Sequence, residues 1–219
     1  MTDMRFKNIV DEIKPCNFLA DIGCDHGYVT QLALKNGKCK RAFISDISKP
    51  CLEKAVALLD EYIQKGVVLY SVGDGMANIP KGVDSVVIAG MGGEEIVKIL
   101  STAPYLPQNL YLQPMKNARK VREYLLNNNF GILKDYTFGD DKYYDYIIAS
   151  YGAKIDEYTA LQLEFGKDNL LNPTPAFIKR VDSELAKITI ALQQVEKEQT
   201  LKELQERIAL LRGIKDVKN

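Results

Sequence analysis

The sequence predicts an α/β fold, with a mostly parallel sheet wound with helices, closed by a terminal antiparallel hairpin and followed by a helical tail. Three observations predict it. A glycine turn, Asp21-Ile22-Gly23-Cys24-Asp25-His26-Gly27-Tyr28, stands between a short apolar run and an amphipathic stretch, which reads as strand, tight turn and helix. Further apolar runs alternate with helical patterns, and helices between strands impose parallel pairing through right-handed crossovers. The last two runs are joined only by Gly139-Asp140-Asp141-Lys142, which makes that pair antiparallel.

Each element follows from local chemistry. Residues 1–14 form a lead-in helix with Phe6, Ile9, Val10 and Ile13 on one face, ended by Pro15. Residues 18–22 are the first strand, and the helix over 28–36 is capped by Gly37. A second strand, 41–45, runs into Asp46; Pro50 sits early in one helix that reaches Lys65, where Gly66 stops it. The third strand, 67–72, ends at Gly73-Asp74-Gly75, and the fourth, 84–89, ends at Gly90-Met91-Gly92-Gly93. Residues 94–101 are helical, with acids in the first turn where the macrodipole favours them. The fifth strand, 109–112, ends at Gln113-Pro114, and a helix covers 118–128. Residues 132–138 and 143–151 form the hairpin. This pattern is the Rossmann-like arrangement of class I methyltransferases, not the all-parallel one of dehydrogenases.

Residues 156–172 read as a linker. Beyond it Phe177, Val181, Leu185, Ile188, Leu192 and Val195 fall at steps of three and four, a heptad seam. The register slips near 196–200 and resumes at Leu201, Leu204, Ile208 and Leu211. An antiparallel pair of helices fits this, with one kinked helix as the alternative. The seam is too thin to be a core of its own, so the tail packs on itself, on the first domain or on a partner. The expected division is therefore a catalytic domain over 1–155, and a linker with a coiled-coil-like helical hairpin over 156–219.

Composition excludes several classes. The chain has 219 residues, 46% hydrophobic and 26% charged, with zero formal net charge. No global basic field announces nucleic acid, so any basic surface is local. No apolar run approaches the about 18 residues of a membrane span, and none reads as a secretory leader. The expectation is a cytoplasmic protein, without membrane or metal and favoured as a monomer, with Cys16, Cys24, Cys39 and Cys51 reduced. A single histidine, His26, argues against a histidine-based metal site.

Charge selects the ligand of the glycine turn. A dinucleotide fingerprint needs G-x-G-x-x-G, but Asp25 and Tyr28 occupy the second and third glycine positions. A pyrophosphate would be repelled by Asp21 and Asp25. S-adenosylmethionine, with a sulfonium, an ammonium and no phosphate, suits the turn better. Asp21, Gly23, Asp25, His26 and Gly27 then surround its cationic end, with His26 orienting substrate or, as favoured, bracing the turn. Asp46, nineteen residues after Gly27, is placed for the ribose hydroxyls. Asp74 is placed for the adenine amino group. Ile47, Gly75, Met76, Ala89 and Gly90 complete the expected donor site. Singly, each acid is more often a turn residue; together they share the strand ends of one sheet.

The methyl acceptor is expected beside Gly90-Met91-Gly92 and Gln113-Pro114, whose role would be positioning. Glycines there admit close approach; a plain strand-to-helix turn is the alternative. No Asp/Asn-Pro-Pro-aromatic motif of amino-group methylation is present. Lys116, Arg119, Lys120 and Arg122 crowd seven residues at a helix start, where cations oppose the macrodipole, which suggests RNA phosphates or a solvated basic face. Tyr28, Tyr143 and Tyr144 are candidates to stack on a target base.

The chain resembles a known family. Asp21-Ile-Gly-Cys-Asp-His-Gly-Tyr28, Val72-Gly-Asp-Gly75, Ala89-Gly-Met-Gly-Gly93, Leu112-Gln-Pro114 and the helical tail look like the bacterial tRNA (adenine(22)-N1)-methyltransferases. Many members have Asn directly after that proline, whereas this chain has Met115 and then Asn117 two residues later. The resemblance implies S-adenosylmethionine as donor, tRNA as substrate, 1-methyladenosine as product and a tail that assists tRNA binding. On this reading Asp46→Ala weakens donor binding and Arg122→Ala weakens tRNA binding. A methyltransferase acting on a small molecule or protein, and a non-catalytic RNA-binding protein, are the alternatives.

Overall fold

The structure, a computed structural model, describes residues 4–195 and 197–216. Seven strands form one sheet: β1 (Cys16–Ile22), β2 (Cys39–Asp46), β3 (Val68–Val72), β4 (Ser85–Gly92), β5 (Asn109–Lys116), β6 (Phe130–Gly139) and β7 (Tyr143–Tyr151). Their order is β3-β2-β1-β4-β5-β7-β6. The first five are mutually parallel, and β7 enters antiparallel between β5 and the edge strand β6.

Strand periodicity splits the core into two layers. Phe18, Ala20, Ile22, Val86, Ile88, Leu110 and Leu112 face one side, under helices α5 (Gly93–Ser101) and α6 (Ala118–Asn127). Leu19, Ile44, Val87 and Tyr111 face the other, under α1 (Met4–Asp11), α2 (Tyr28–Lys35) and α3 (Lys49–Leu58). Helices cover both faces, so the central strands read as nearly continuous apolar runs. The first three residues of the expected lead-in helix lie outside the described residues.

Three expectations are corrected. The single helix over 50–65 is two, α3 and α4 (Asp60–Gln64), broken at Leu59. Leu59 is completely buried and has φ −105°, so its burial prevails over helical continuity. The fourth and fifth strands run on to Gly92 and Lys116 because Met91 pairs with Pro114 and Gly92 with Lys116 across a bulge; Lys116 therefore ends a strand rather than opening a helix. The expected linker contains α7 (Ala160–Phe165) and α8 (Lys167–Leu171). Thr159 and Gln162 form a capping box at the start of α7, a signal present in the sequence.

The second short helix protects the sheet edge. The Asp135 N–H donates to Asp168 at 2.8 Å and the Thr137 N–H to Asn169 at 2.9 Å. Side chains thus occupy ladder groups that would otherwise invite another strand. The tail is two helices, α9 (Pro175–Leu192) and α10 (Glu198–Asp216). Phe177 and Val181, early in α9, meet Leu211 and Ile214, late in α10, so the pair is antiparallel. Glu196, in the expected break, and the last three residues of the chain lie outside the described residues. Phe165 and Leu170 from α7 and α8 join this third small core, and α9 also packs on β6 and β7.

Candidate functional site

A cavity of about 330 Å³ opens at the carboxyl ends of β1, β2, β3 and β4. The turn after β1 forms its floor. Gly23 adopts φ 70°, Asp25 47° and Gly27 74°, left-handed conformations that fold the backbone tightly into α2. A Cβ on Gly23 would overlap the Met91 side chain, which lies directly over the turn. The Gly23 and Cys24 N–H groups donate to Ser45 O at 2.8 and 3.1 Å, tying this turn to the end of β2.

Five carboxylates among the described residues line the cavity: Asp21, Asp25, Asp46, Asp74 and Glu95. Asp21 is buried and accepts from the Thr30 hydroxyl at 2.8 Å. Burial pushes its carboxyl up to about 6, against the lowering effect of that hydrogen bond. Asp46 accepts from the Ser48 N–H at 2.8 Å with one oxygen and the Asp25 N–H at 3.0 Å with the other. Each oxygen keeps a further lone pair for a ligand hydroxyl. Partial burial opposes ionisation of Asp25, but hydrogen bonds from His26 and Cys51 prevail and hold it below the usual carboxylate range. His26 Nδ1 lies 2.8 Å from Asp25 Oδ2. Its ring is parallel to Tyr28 at 5.7 Å, so it braces the turn while lining the cavity. Asp74 sits at the rim, 3.4 Å from Lys98.

The cavity brings together Asp21, Gly23, Asp25, His26, Asp46, Ile47, Asp74, Gly75, Ala89, Gly90 and Met91 from the expected site. It leaves out Gly27, Met76, Gly92, Gln113 and Pro114. Gly27 packs against Ala55 and Leu59, and Met76 is core. Gln113 is completely buried, its amide donating to Pro114 O at 3.2 Å. The reading missed Arg5, Phe6 and Glu95, which also line the cavity. Only the apolar periodicity of α1 pointed to that helix, and it marked Phe6 as a packing residue.

A second cavity, about 590 Å³, lies at the carboxyl end of β5, lined by Pro114, Lys116, Asn117, Arg119, Tyr143 and Arg180 among others. It neighbours the first across the β4–β5 pairing, and a Cβ on Gly93 would overlap the Asn117 carbonyl, so the two turns are in direct contact. Arg180, on α9, pairs with Asp145 at 2.7 Å and makes the tail a wall of this cavity. Of the expected stacking residues, Tyr28 lines the first cavity, Tyr143 the second, and Tyr144 packs on Phe138 at 5.5 Å.

The expected basic cluster divides. Lys116 and Arg119 line the second cavity, with Arg119 also 2.7 Å from Glu123. Lys120 pairs with Glu94 at 3.2 Å. Arg122 is corrected: it has no exposed surface and cannot meet a phosphate. Its guanidinium donates to both oxygens of Asp135 at 2.8 Å and to Leu163 O and Glu164 O at 3.1 and 3.0 Å. The sequence placed it in a basic run, but helical geometry turned it inward.

Among the described residues no group of three or more His, Cys, Asp or Glu could hold a metal ion, and no helix is long and apolar enough to cross a membrane. All four cysteines are free thiols.

Comparison with known proteins points one way. The sequence model of the tRNA (adenine(22)-N(1))-methyltransferase family matches residues 19–213. The tRNA (adenine(22)-N(1))-methyltransferase of Bacillus subtilis is 28% identical, across 97% of this chain and 96% of its own. The structure of M. capricolum TrmK in complex with the cofactor product S-adenosyl-homocysteine has a TM-score of 0.87 at 25% identity, covering 99% of both chains. The B. subtilis m1A22 tRNA methyltransferase structure has a TM-score of 0.81 at 26% identity, covering 96% of this chain and 97% of that one.

Proposed function

Since the chain belongs to the tRNA (adenine(22)-N(1))-methyltransferase family, we propose that its two neighbouring cavities serve the donor and the acceptor side of one methyl transfer. The protein is an S-adenosylmethionine-dependent enzyme that forms 1-methyladenosine in tRNA, at position 22. This sets aside the small-molecule, protein and non-catalytic alternatives.

The observation that carries the site assignment is the acid-lined cavity at four strand ends. Its donor set fits a cationic ligand bearing a ribose. Its volume of about 330 Å³ lies at the lower end of the range for small-molecule pockets, roughly 300–1,000 Å³. Bound there, S-adenosylmethionine supplies an electrophilic methyl carbon on sulfur, which the N1 lone pair of adenine takes to give 1-methyladenosine and S-adenosylhomocysteine. Asp21 and Asp25 stabilise the positive end; Asp46 holds the ribose hydroxyls with its remaining lone pairs. The neutral adenine N1 is already nucleophilic, so no general base is required before transfer. The residues at the ends of β4 and β5, including Met91 and Pro114, act by alignment, which can supply much of the rate.

N1 lies on the pairing edge of adenine, so the base must leave its stack to react. Tyr28 and Tyr143, one in each cavity, are the surfaces for it, and Lys116, Arg119 and Arg180 carry the adjoining phosphates. We assign catalysis to residues 1–155 and RNA docking to 156–219 together with the β5–α6 turn, in a monomer working in the cytoplasm, where its substrate is. Incubation with methyl-labelled donor and unmodified tRNA transcripts, followed by nucleoside digestion, should yield labelled 1-methyladenosine. Label in another nucleoside would overturn the acceptor assignment.

A further inference from the structure

We propose that Arg5 of α1 is the counter-ion of the carboxylate on the donor's methionine portion, so that the lead-in helix is part of the donor site. This rests on the donor reading given above.

The charge inventory of the first cavity raises the question. Among the described residues lining it, five are carboxylic acids and Arg5 is the one with a permanent positive charge. The acids answer the ammonium, the sulfonium and the ribose hydroxyls. They do not answer the donor's own carboxylate, which would enter a field of like charge. A guanidinium presents paired N–H donors in the plane a carboxylate needs.

Placement says which end of the donor Arg5 serves. In the sheet order, β3 and β2 lie on one flank of β1 and β4 on the other. Asp74 and Asp46, suited to adenine and ribose, belong to the first flank. Arg5 stands on the second: its Nη1 is 3.5 Å from where a Cβ on Gly90 would lie. Its guanidinium is 4.6 Å from the centre of Phe6 and 5.7 Å from Tyr144. Phe6 in turn packs on Tyr28 at 5.6 Å, beside the glycine turn. This is the methionine end.

The helix that carries Arg5 is firmly held. Ile9, Val10 and Ile13 are buried in the sheet core, and the Tyr146 hydroxyl donates to Ile9 O at 2.9 Å. Two aromatic faces restrict the guanidinium, so little freedom remains to be lost on binding.

The test is calorimetric titration of the full chain with two ligands. S-adenosylhomocysteine has the carboxylate; 5′-methylthioadenosine lacks it. Arg5→Met should bind S-adenosylhomocysteine roughly 10- to 100-fold more weakly than wild type and 5′-methylthioadenosine equally well. Arg5→Lys, which keeps the charge but not the fork, should fall between. Equal weakening for both ligands would make Arg5 structural and overturn the proposal. Unchanged S-adenosylhomocysteine affinity with a raised KM for tRNA would assign Arg5 to an RNA phosphate and overturn it too. Wild type that binds S-adenosylhomocysteine no tighter than 5′-methylthioadenosine would also sink it, whereas wild type that binds neither would sink the donor reading itself.

Discussion

Asp21 shows what a buried carboxylate at the proposed donor site costs the fold. Its carboxyl is raised from 3.8 to about 6, chiefly by burial. A shift of that size corresponds to about 3 kcal/mol of penalty for the ionised form. The penalty is complete above pH 6, where folded and unfolded chains are both ionised, and it vanishes below pH 4, where both are protonated. Asp21→Asn, which can still accept from Thr30, should therefore stabilise the fold by up to about 3 kcal/mol at pH 7.5 and by little at pH 4, read by urea denaturation. The same variant should bind S-adenosylhomocysteine more weakly, and wild-type affinity should decline as pH falls through 6. Asp46 carries a different load. Its carboxylate holds two backbone N–H groups at once, so Asp46→Ala should loosen the Asp25 turn as well as remove the proposed ribose contact. Donor affinity should drop by about 10-fold or more in titration; equal affinities would remove Asp46 from the donor site.

At the scale of elements, the joint between α6, β6 and α7 decides how the tail meets the sheet. Arg122 there is buried against Asp135 and bonded to two carbonyls at the end of α7. Burial alone would lower its pKa, but the Asp135 charge beside it prevails and raises it. Arg122→Met leaves Asp135 without its counter-charge and should cost about 3–5 kcal/mol in a denaturation midpoint analysis. Replacing both partners with apolar residues should restore much of that loss. Any effect of Arg122→Met on tRNA affinity should track the folded fraction, unlike a lost phosphate contact. The strand-turn-helix pattern was legible because periodicity and glycines are local signals. The break at Leu59, the continued pairing of β4 and β5, and the side-chain cap on β6 were not, because each depends on a partner distant in sequence.

For the whole molecule, zero net charge means that RNA binding rests on local charge. Lys116, Arg119 and Arg180 come from a strand end, a helix start and the tail, and they meet only at the second cavity. Lys116→Gln and Arg119→Gln should each weaken tRNA binding and lower the salt dependence of log K by about 1, measured by filter binding across salt concentrations, with S-adenosylhomocysteine affinity unchanged. An unchanged salt slope in both would remove this cavity from the RNA path.

The sequence by itself determined the α/β class, the parallel sheet with its antiparallel closure, the helical character of the tail, and the acidic glycine turn with Asp46 and Asp74 at strand ends. Those features are written in local spacing, and strand ends of one sheet must converge wherever the fold forms. Tertiary structure alone decided which charges face a cavity. It turned Arg122 inward to Asp135, brought Arg180 from the tail to the end of β5, and set Arg5 against Gly90 near the end of β4. Sequence lists charges without their partners, and burial, pairing and the crossing of distant segments assign each one its neighbour.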